Sequence, residues 1–129
     1  VNPLIDPNGT KRWYLNDKLH RIDGPALVCS NGDNFWYLYG ELHRIDGPAI
    51  EKVSGYKAWF VDGKRHRVDG PAAEHANGDK YWFINDKLHR EDGPAIEYGN
   101  SYKEYYIHGE QLTKEQITQI QVRKKLERL

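Results

Sequence analysis

The heptapeptide His-Arg-Ile-Asp-Gly-Pro-Ala stands at residues 20–26 and again, unchanged, at 43–49. His-Arg-Val-Asp-Gly-Pro-Ala follows at 66–72 and His-Arg-Glu-Asp-Gly-Pro-Ala at 89–95, so the spacing is 23 residues each time. A fixed period in this range belongs to a repeat array, whose units bury apolar surface only against their neighbours. The rest of the chain falls into the same register. Trp13, Trp36, Trp59, Trp82 and Tyr105 form one column, and Tyr14, Tyr37, Phe60, Phe83 and Tyr106 the next. Leu15, Leu38, Val61, Ile84 and Ile107 form a third. Residues 1–111 therefore read as the array, and residues 112–129 as a tail of different composition.

Asn8-Gly9, Asn31-Gly32, Ser54-Gly55, Asn77-Gly78 and Asn100-Ser101 recur between short β-prone runs. Asn-Gly favours a two-residue type I′ turn, because both central residues need φ > 0. That turn sets a register in which Leu4 faces Trp13, Leu27 faces Trp36, Ile50 faces Trp59, Ala73 faces Trp82 and Ile96 faces Tyr105. On the other face small alanines meet aromatics, at Ala26/Tyr37, Ala49/Phe60, Ala72/Phe83 and Ala95/Tyr106. Five hairpins predict ten strands. Between hairpins, residues 16–24 and their copies read as a longer loop. Its apolar members (Leu19, Leu42 and Leu88 with Ile22, Ile45 and Val68) are expected to fold back onto the sheet. Pro25, Pro48, Pro71 and Pro94 lack an N–H and belong at strand entries.

The pattern W-x-x-D/N-G-K-x-H-x-x-G, with a second strand ending in N-G, resembles a MORN-type repeat. It is most similar to the divergent kind carrying H-R-x-D-G-P-A that occurs in phages and large viruses. The likeness runs from Val1 to about Gly109. It implies an all-β fold: an elongated, single-layer antiparallel meander of about five β-hairpin repeats, here followed by a C-terminal α-helix. It also implies a counter-defence or host-factor-binding role in a host cytoplasm.

Charge and cysteine content narrow the function classes. Nineteen Lys and Arg balance nineteen Asp and Glu. A net charge of zero argues against nucleic-acid or membrane binding driven by overall charge. The single cysteine, Cys29, leaves no partner for an intrachain disulfide and fits a reducing, cytoplasmic compartment. No apolar run is long enough for a signal peptide or membrane span. The sequence starts at Val1 without an initiator Met, from which a trimmed start is expected.

The His-Arg-x-Asp set could supply a base, a phosphate clamp and an orienting carboxylate. Equivalent histidines two strands apart are ~10 Å from one another, too far to share a metal whose ligands lie ~2 Å away. An active site also needs one differentiated location, and the motif occurs four times nearly unchanged. The competing reading is a loop staple, with Arg21, Arg44, Arg67 and Arg90 paired to loop aspartates and the His rings bonded to loop carbonyls. No enzyme activity, cofactor or metal is expected.

Three places are candidates for binding. Trp13, Trp36, Trp59 and Trp82 with their aliphatic neighbours make one sheet face too apolar for water. Either loops and helix cover it, or part of it meets a partner or a second copy. The third unit departs from the others, with Arg65, His66 and Arg67 in its loop and His75 in its strand. A small Ala73 opposite Trp82 leaves a dent there that could hold an anion such as a nucleotide; the alternative is a solvated loop. In the tail, Thr113 and Gln116 form a capping box that starts a sixteen-residue helix. Ile117 and Ile120 lie on one side and are expected to dock near Tyr105 and Ile107. Val122, Leu126 and Leu129 lie nearly opposite, available to a second copy or a target protein. The tail carries five Lys and Arg against two Glu, and the array fourteen against seventeen Asp and Glu. The function expected is a non-enzymatic scaffold that binds a partner protein. The alternative is a module that sequesters or cleaves a nucleotide signal through its His/Arg loops.

Overall fold

The computed structural model describes residues 2–129; Val1, the first residue assigned to the array, lies outside them. The described residues form a long antiparallel sheet of eleven strands, four separate two-stranded sheets and one C-terminal helix, with no closed barrel. In the long sheet the strands lie side by side in chain order, from Leu4–Ile5 at one edge to Glu110–Leu112 at the other. A second set of hairpins runs beside them. Tyr14–Leu15 pairs with Lys18–Leu19, Tyr37–Leu38 with Glu41–Leu42, Phe60–Val61 with Lys64–Arg65, and Phe83–Ile84 with Lys87–Leu88.

Two kinds of turn produce this division. At Asn31-Gly32 the loop has three residues rather than two. Gly32 N–H donates to the Cys29 carbonyl (2.9 Å), and Cys29 N–H to that of Asp33 (2.8 Å). Only the glycine is left-handed, at φ +101°. Ser54-Gly55 forms the same loop; at Asn31 the side chain adds to it, its Oδ1 accepting from Asp33 N–H at 3.0 Å. Such an Asx turn holds asparagine on the right-handed side and competes with the type I′ geometry. The register is therefore shifted by one residue from the expected one, which reverses the faces. Leu27 lies opposite Phe35, Leu4 opposite Arg12, Ile50 opposite Ala58, Ala73 opposite Tyr81 and Ile96 opposite Glu104. None faces a column-one aromatic, and the expected alanine–aromatic pairs do not form.

The second turn lies where a long loop was expected. Asn16-Asp17, Tyr39-Gly40, Asp62-Gly63, Asn85-Asp86 and His108-Gly109 have both residues at positive φ, the type I′ signature. The first four make the side hairpins and the fifth joins Lys103–Ile107 to Glu110–Leu112 in the long sheet; the strand number rises from the expected ten to nineteen among the described residues. Neighbouring side hairpins are bonded in turn. Gly40 N–H donates to the Leu19 carbonyl (2.8 Å) and Arg21 N–H to that of Tyr37 (3.1 Å), and the other repeats follow suit.

Each tryptophan is the point where the chain leaves one ladder for the other. Trp36 N–H donates to the Ala49 carbonyl (2.8 Å), and the Trp36 carbonyl accepts from His43 N–H (3.0 Å). No backbone group is orphaned at the crossing, as burial requires. The alanines bonded there, Ala26, Ala49, Ala72 and Ala95, have no solvent exposure at all. The core is thin, consisting of these alanines with Ala58, Ala73, Phe83, Ile96 and Ile117.

The helix α1 (Lys114–Glu127) begins with the expected capping box. Thr113 accepts from Gln116 N–H, and the Gln116 side chain accepts from Thr113 N–H. It has fourteen residues, not sixteen; Arg128 is the C-cap and Leu129 lies beyond it.

Candidate functional site

The H-R-x-D-G-P-A motif is a stapled loop, and each letter has a mechanical reason. The Arg44 guanidinium lies 3.9 Å over the Trp36 ring. Its Nε donates to Asp46 (3.0 Å), and its Nη1 to the Pro48 carbonyl (3.0 Å) and to Glu51 (2.6 Å). Arg21 over Trp13, Arg67 over Trp59 and Arg90 over Trp82 repeat the stack at 3.9, 3.9 and 4.0 Å. The glycine is required by this arginine. A Cβ on Gly47 would meet the Arg44 Cζ at 3.0 Å, and one on Gly70 the Arg67 Cζ at 2.8 Å. The aspartate pairing within the loop is the expected staple. The covering of each tryptophan by an arginine was not expected; loop aliphatics and the helix were.

The histidines do not bond loop carbonyls. Nδ1 of His20, His43, His66 and His89 accepts from the backbone N–H of Tyr39, Asp62, Asn85 and His108, one repeat on, at 2.9–3.0 Å. Accepting at Nδ1 places the proton of a neutral ring at Nε2. Each ring thus ties its loop to the next side hairpin. Burial and the neighbouring His108, whose ring lies 4.4 Å away, push the His89 imidazole below its ordinary range.

The x position is the one the staple leaves free. Ile22, Ile45 and Val68 are 85, 78 and 82% exposed. They do not fold back onto the sheet as expected, because the Arg–Trp stack already fills that space; Leu19, Leu42 and Leu88 are half-buried. Between successive loops run three open grooves of about 810, 890 and 810 Å³. Their floors are Trp36 with Leu38, Trp59 with Val61 and Trp82 with Ile84. Their rims carry Ile22, Ile45 and Val68 beside Asp23, Asp46 and Asp69, whose side chains are 86–87% exposed. Near-equal volumes mean that no single groove is set apart.

The fourth x position is Glu91, and there α1 lies on the loop. Gln121 Nε2 donates to the Glu91 carbonyl (2.8 Å), and Lys124 Nζ pairs with its carboxylate at 2.5 Å. Lys124 holds the Glu91 carboxyl below the usual carboxylate range. Ile117 is buried and Ile120 half-buried, whereas Val122, Leu126 and Leu129 are 51, 62 and 102% exposed.

The third-unit residues are not assembled into an anion site. Arg65 is committed to Asp86 (2.6 Å) and lies 4.0 Å over Phe83, which depresses the Asp86 carboxyl. His66 and Arg67 perform the same tasks as in the other repeats. His75 packs between Tyr56 and Tyr81 at 4.8 and 5.4 Å, and the grooves at Arg67 and Trp82 are lined without it. Ala73 lies opposite Tyr81, so the Ala73–Trp82 pairing expected to leave a dent does not form. Among the described residues no three His, Cys, Asp or Glu side chains cluster as metal ligands. Burial raises the Cys29 thiol above its ordinary range.

No protein-family model matches the chain, and none of the curated proteins compared with it matches.

Proposed function

We propose that this protein is a non-enzymatic repeat scaffold that binds a protein partner along the row of Ile22, Ile45 and Val68. The observation that carries this reading is the division of labour inside the motif. Histidine, arginine, glycine and alanine are used up in holding the loop, while the residue between Arg and Asp stays 78–85% exposed and apolar in three successive repeats. Apolar side chains repeated over Trp-floored grooves suit a protein surface better than a small anion, since the arginines that could hold a phosphate are already bonded. The likeness to phage and large-virus repeats makes a host factor the expected class of partner.

The test compares Ile45→Asp with Val68→Asp against Val53→Asp. Val53 is also exposed, at 67%, but lies at a main-sheet turn. Partner binding should be lost in the first variant and kept in the second, with both unfolding as wild type does. Equal binding by both would overturn the row as the binding surface. A thermal-shift series with nucleotides should show no stabilisation. A true ligand at a hundred times its Kd would add about 2.7 kcal/mol.

A further inference from the structure

Two exposed apolar edges on this chain match one another in spacing and in charge. The first is the row of Ile22, Ile45 and Val68, each beside a solvent-facing Asp23, Asp46 or Asp69. Successive loops are two sheet strands apart, so the row has a pitch of ~10 Å. The second is the far side of α1. Val122 and Leu126 are one turn apart, and Leu129 lies just past a C-cap that keeps right-handed geometry. Seven residues at 1.5 Å put Val122 and Leu129 ~10.5 Å apart, one repeat pitch. Beside them stands the exposed Arg123, while Lys125 and Arg128 line a pocket with Glu91 and Asp92 of the same molecule's fourth loop. The tail carries three more basic than acidic residues, and the array three fewer.

Within one molecule α1 lies at the next loop of the same column. At the fourth x position α1 lies against the loop through Gln121 and Lys124, with Glu91 where the other loops have Ile or Val. That anchorage, with the buried Ile117, keeps α1 at the fourth loop, roughly 20 Å from Ile45 in the same molecule. The exposed edge of α1 therefore cannot reach Ile22 or Ile45 of its own row.

We infer that the exposed edge of α1 docks on the Ile22, Ile45 and Val68 row of a second copy, Val122 and Leu129 meeting adjacent loops and Arg123 meeting a loop aspartate. The inference rests on the reading of the row as a protein-binding surface, and names its occupant. The two patches differ, so the contact is heterologous. Each copy in a pair keeps one free row and one free helix, and association extends head to tail.

The test uses two full-length variants, Ile45→Asp with Val68→Asp in the row and Leu126→Asp with Leu129→Asp in the helix. All four side chains are exposed, so circular dichroism and melting should match the wild type. In light scattering up to about 1 mM, where small interfaces dissociate, wild-type mass should rise with concentration and fall back with added salt. Each variant alone should stay monomeric. Mixed together, one supplies an intact helix and the other an intact row, so they should form a heterodimer that grows no further. A wild type that remains monomeric throughout, or a mixture that does not associate, overturns the self-docking. Should the row variant still lose a foreign partner that the helix variant keeps, the scaffold reading survives and only this occupant falls.

Discussion

Replacing Arg44 by alanine should cost about as much as emptying a core position, although the residue is a charged loop side chain. Three contributions can be read from its surroundings. The stack on Trp36 at 3.9 Å is half-shielded, and such contacts are worth ~0.5–2 kcal/mol. The hydrogen bond to the Pro48 carbonyl joins a charged donor to a part-buried acceptor, in the range of ~1.5–3 kcal/mol. The Glu51 pair is partly exposed and adds at most ~1 kcal/mol. Asp46, 86% exposed, adds little. Allowing for overlap, Arg44→Ala should destabilise by about 3 kcal/mol, or on the order of 10 °C in Tm at this chain length. Arg44→Lys keeps the charge but loses the planar stack and fork, and should recover less than half of the loss. Asp46→Asn should be nearly silent. Urea unfolding followed by tryptophan fluorescence gives all three values. An Arg44→Ala loss under about 1 kcal/mol, or full rescue by lysine, would refute the assignment of the motif to a stacked staple.

Other consequences are open to direct measurement. Gly47→Ala has no backbone strain to relieve, but its methyl would lie 3.0 Å from the Arg44 Cζ. It should cost about 1–2 kcal/mol alone and almost nothing in an Arg44→Ala background, a coupling that a double-mutant cycle would detect. Gly32→Val places a β-branched residue at φ +101° with its Cβ 2.9 Å from Val53 Cγ1, and should abolish or severely lower cooperative unfolding. Acid should weaken the helix end in two stages. The folded His89 pKa is lowered, so its contribution is complete above the ordinary imidazole pKa of about 6.5 and is lost as pH falls through that value and then the folded one. The Glu91 carboxyl is also lowered, so the Lys124 contact contributes above the ordinary glutamate pKa and is lost as pH falls through its folded value. His89→Asn, which keeps an acceptor near Nδ1 without titrating, should flatten the first stage in a pH series of unfolding midpoints.

The 23-residue period carried the architecture, and it did so because repeats must stack on their own copies. The antiparallel ladder, the intraloop Arg–Asp pairs and the Thr113 capping box were all readable from spacing and residue type. The register was not. Asn-Gly is compatible with a type I′ turn and with a three-residue loop; the Asn31 amide turned back to Asp33 N–H supports the second, and Ser54-Gly55 adopts it without that bond. The residue pairs Tyr39-Gly40 and Asp62-Gly63 carried a hairpin signal too, but Asn16-Asp17 and Asn85-Asp86 disguised it, since neither contains glycine. The row of Ile22, Ile45 and Val68 looked like core from composition alone. Its exposure follows from the arginine that takes the place over tryptophan, a contact 8 residues away along the chain, between Trp36 and Arg44, that periodicity does not reveal. Glu91 in the same column was the one visible hint that something polar covers the fourth position.

Arg67 and Val68 are neighbours in sequence, yet one points under the loop and the other out of it. Measuring the urea midpoint of Arg67→Ala and Val68→Asp side by side is the sharpest check on the division of labour proposed for the motif. Arg67→Ala should show a large fall, and Val68→Asp should keep an unfolding free energy within about 0.5 kcal/mol of wild type while losing association. A Val68→Asp protein that unfolds as readily as Arg67→Ala would put the row in the core and contradict the account.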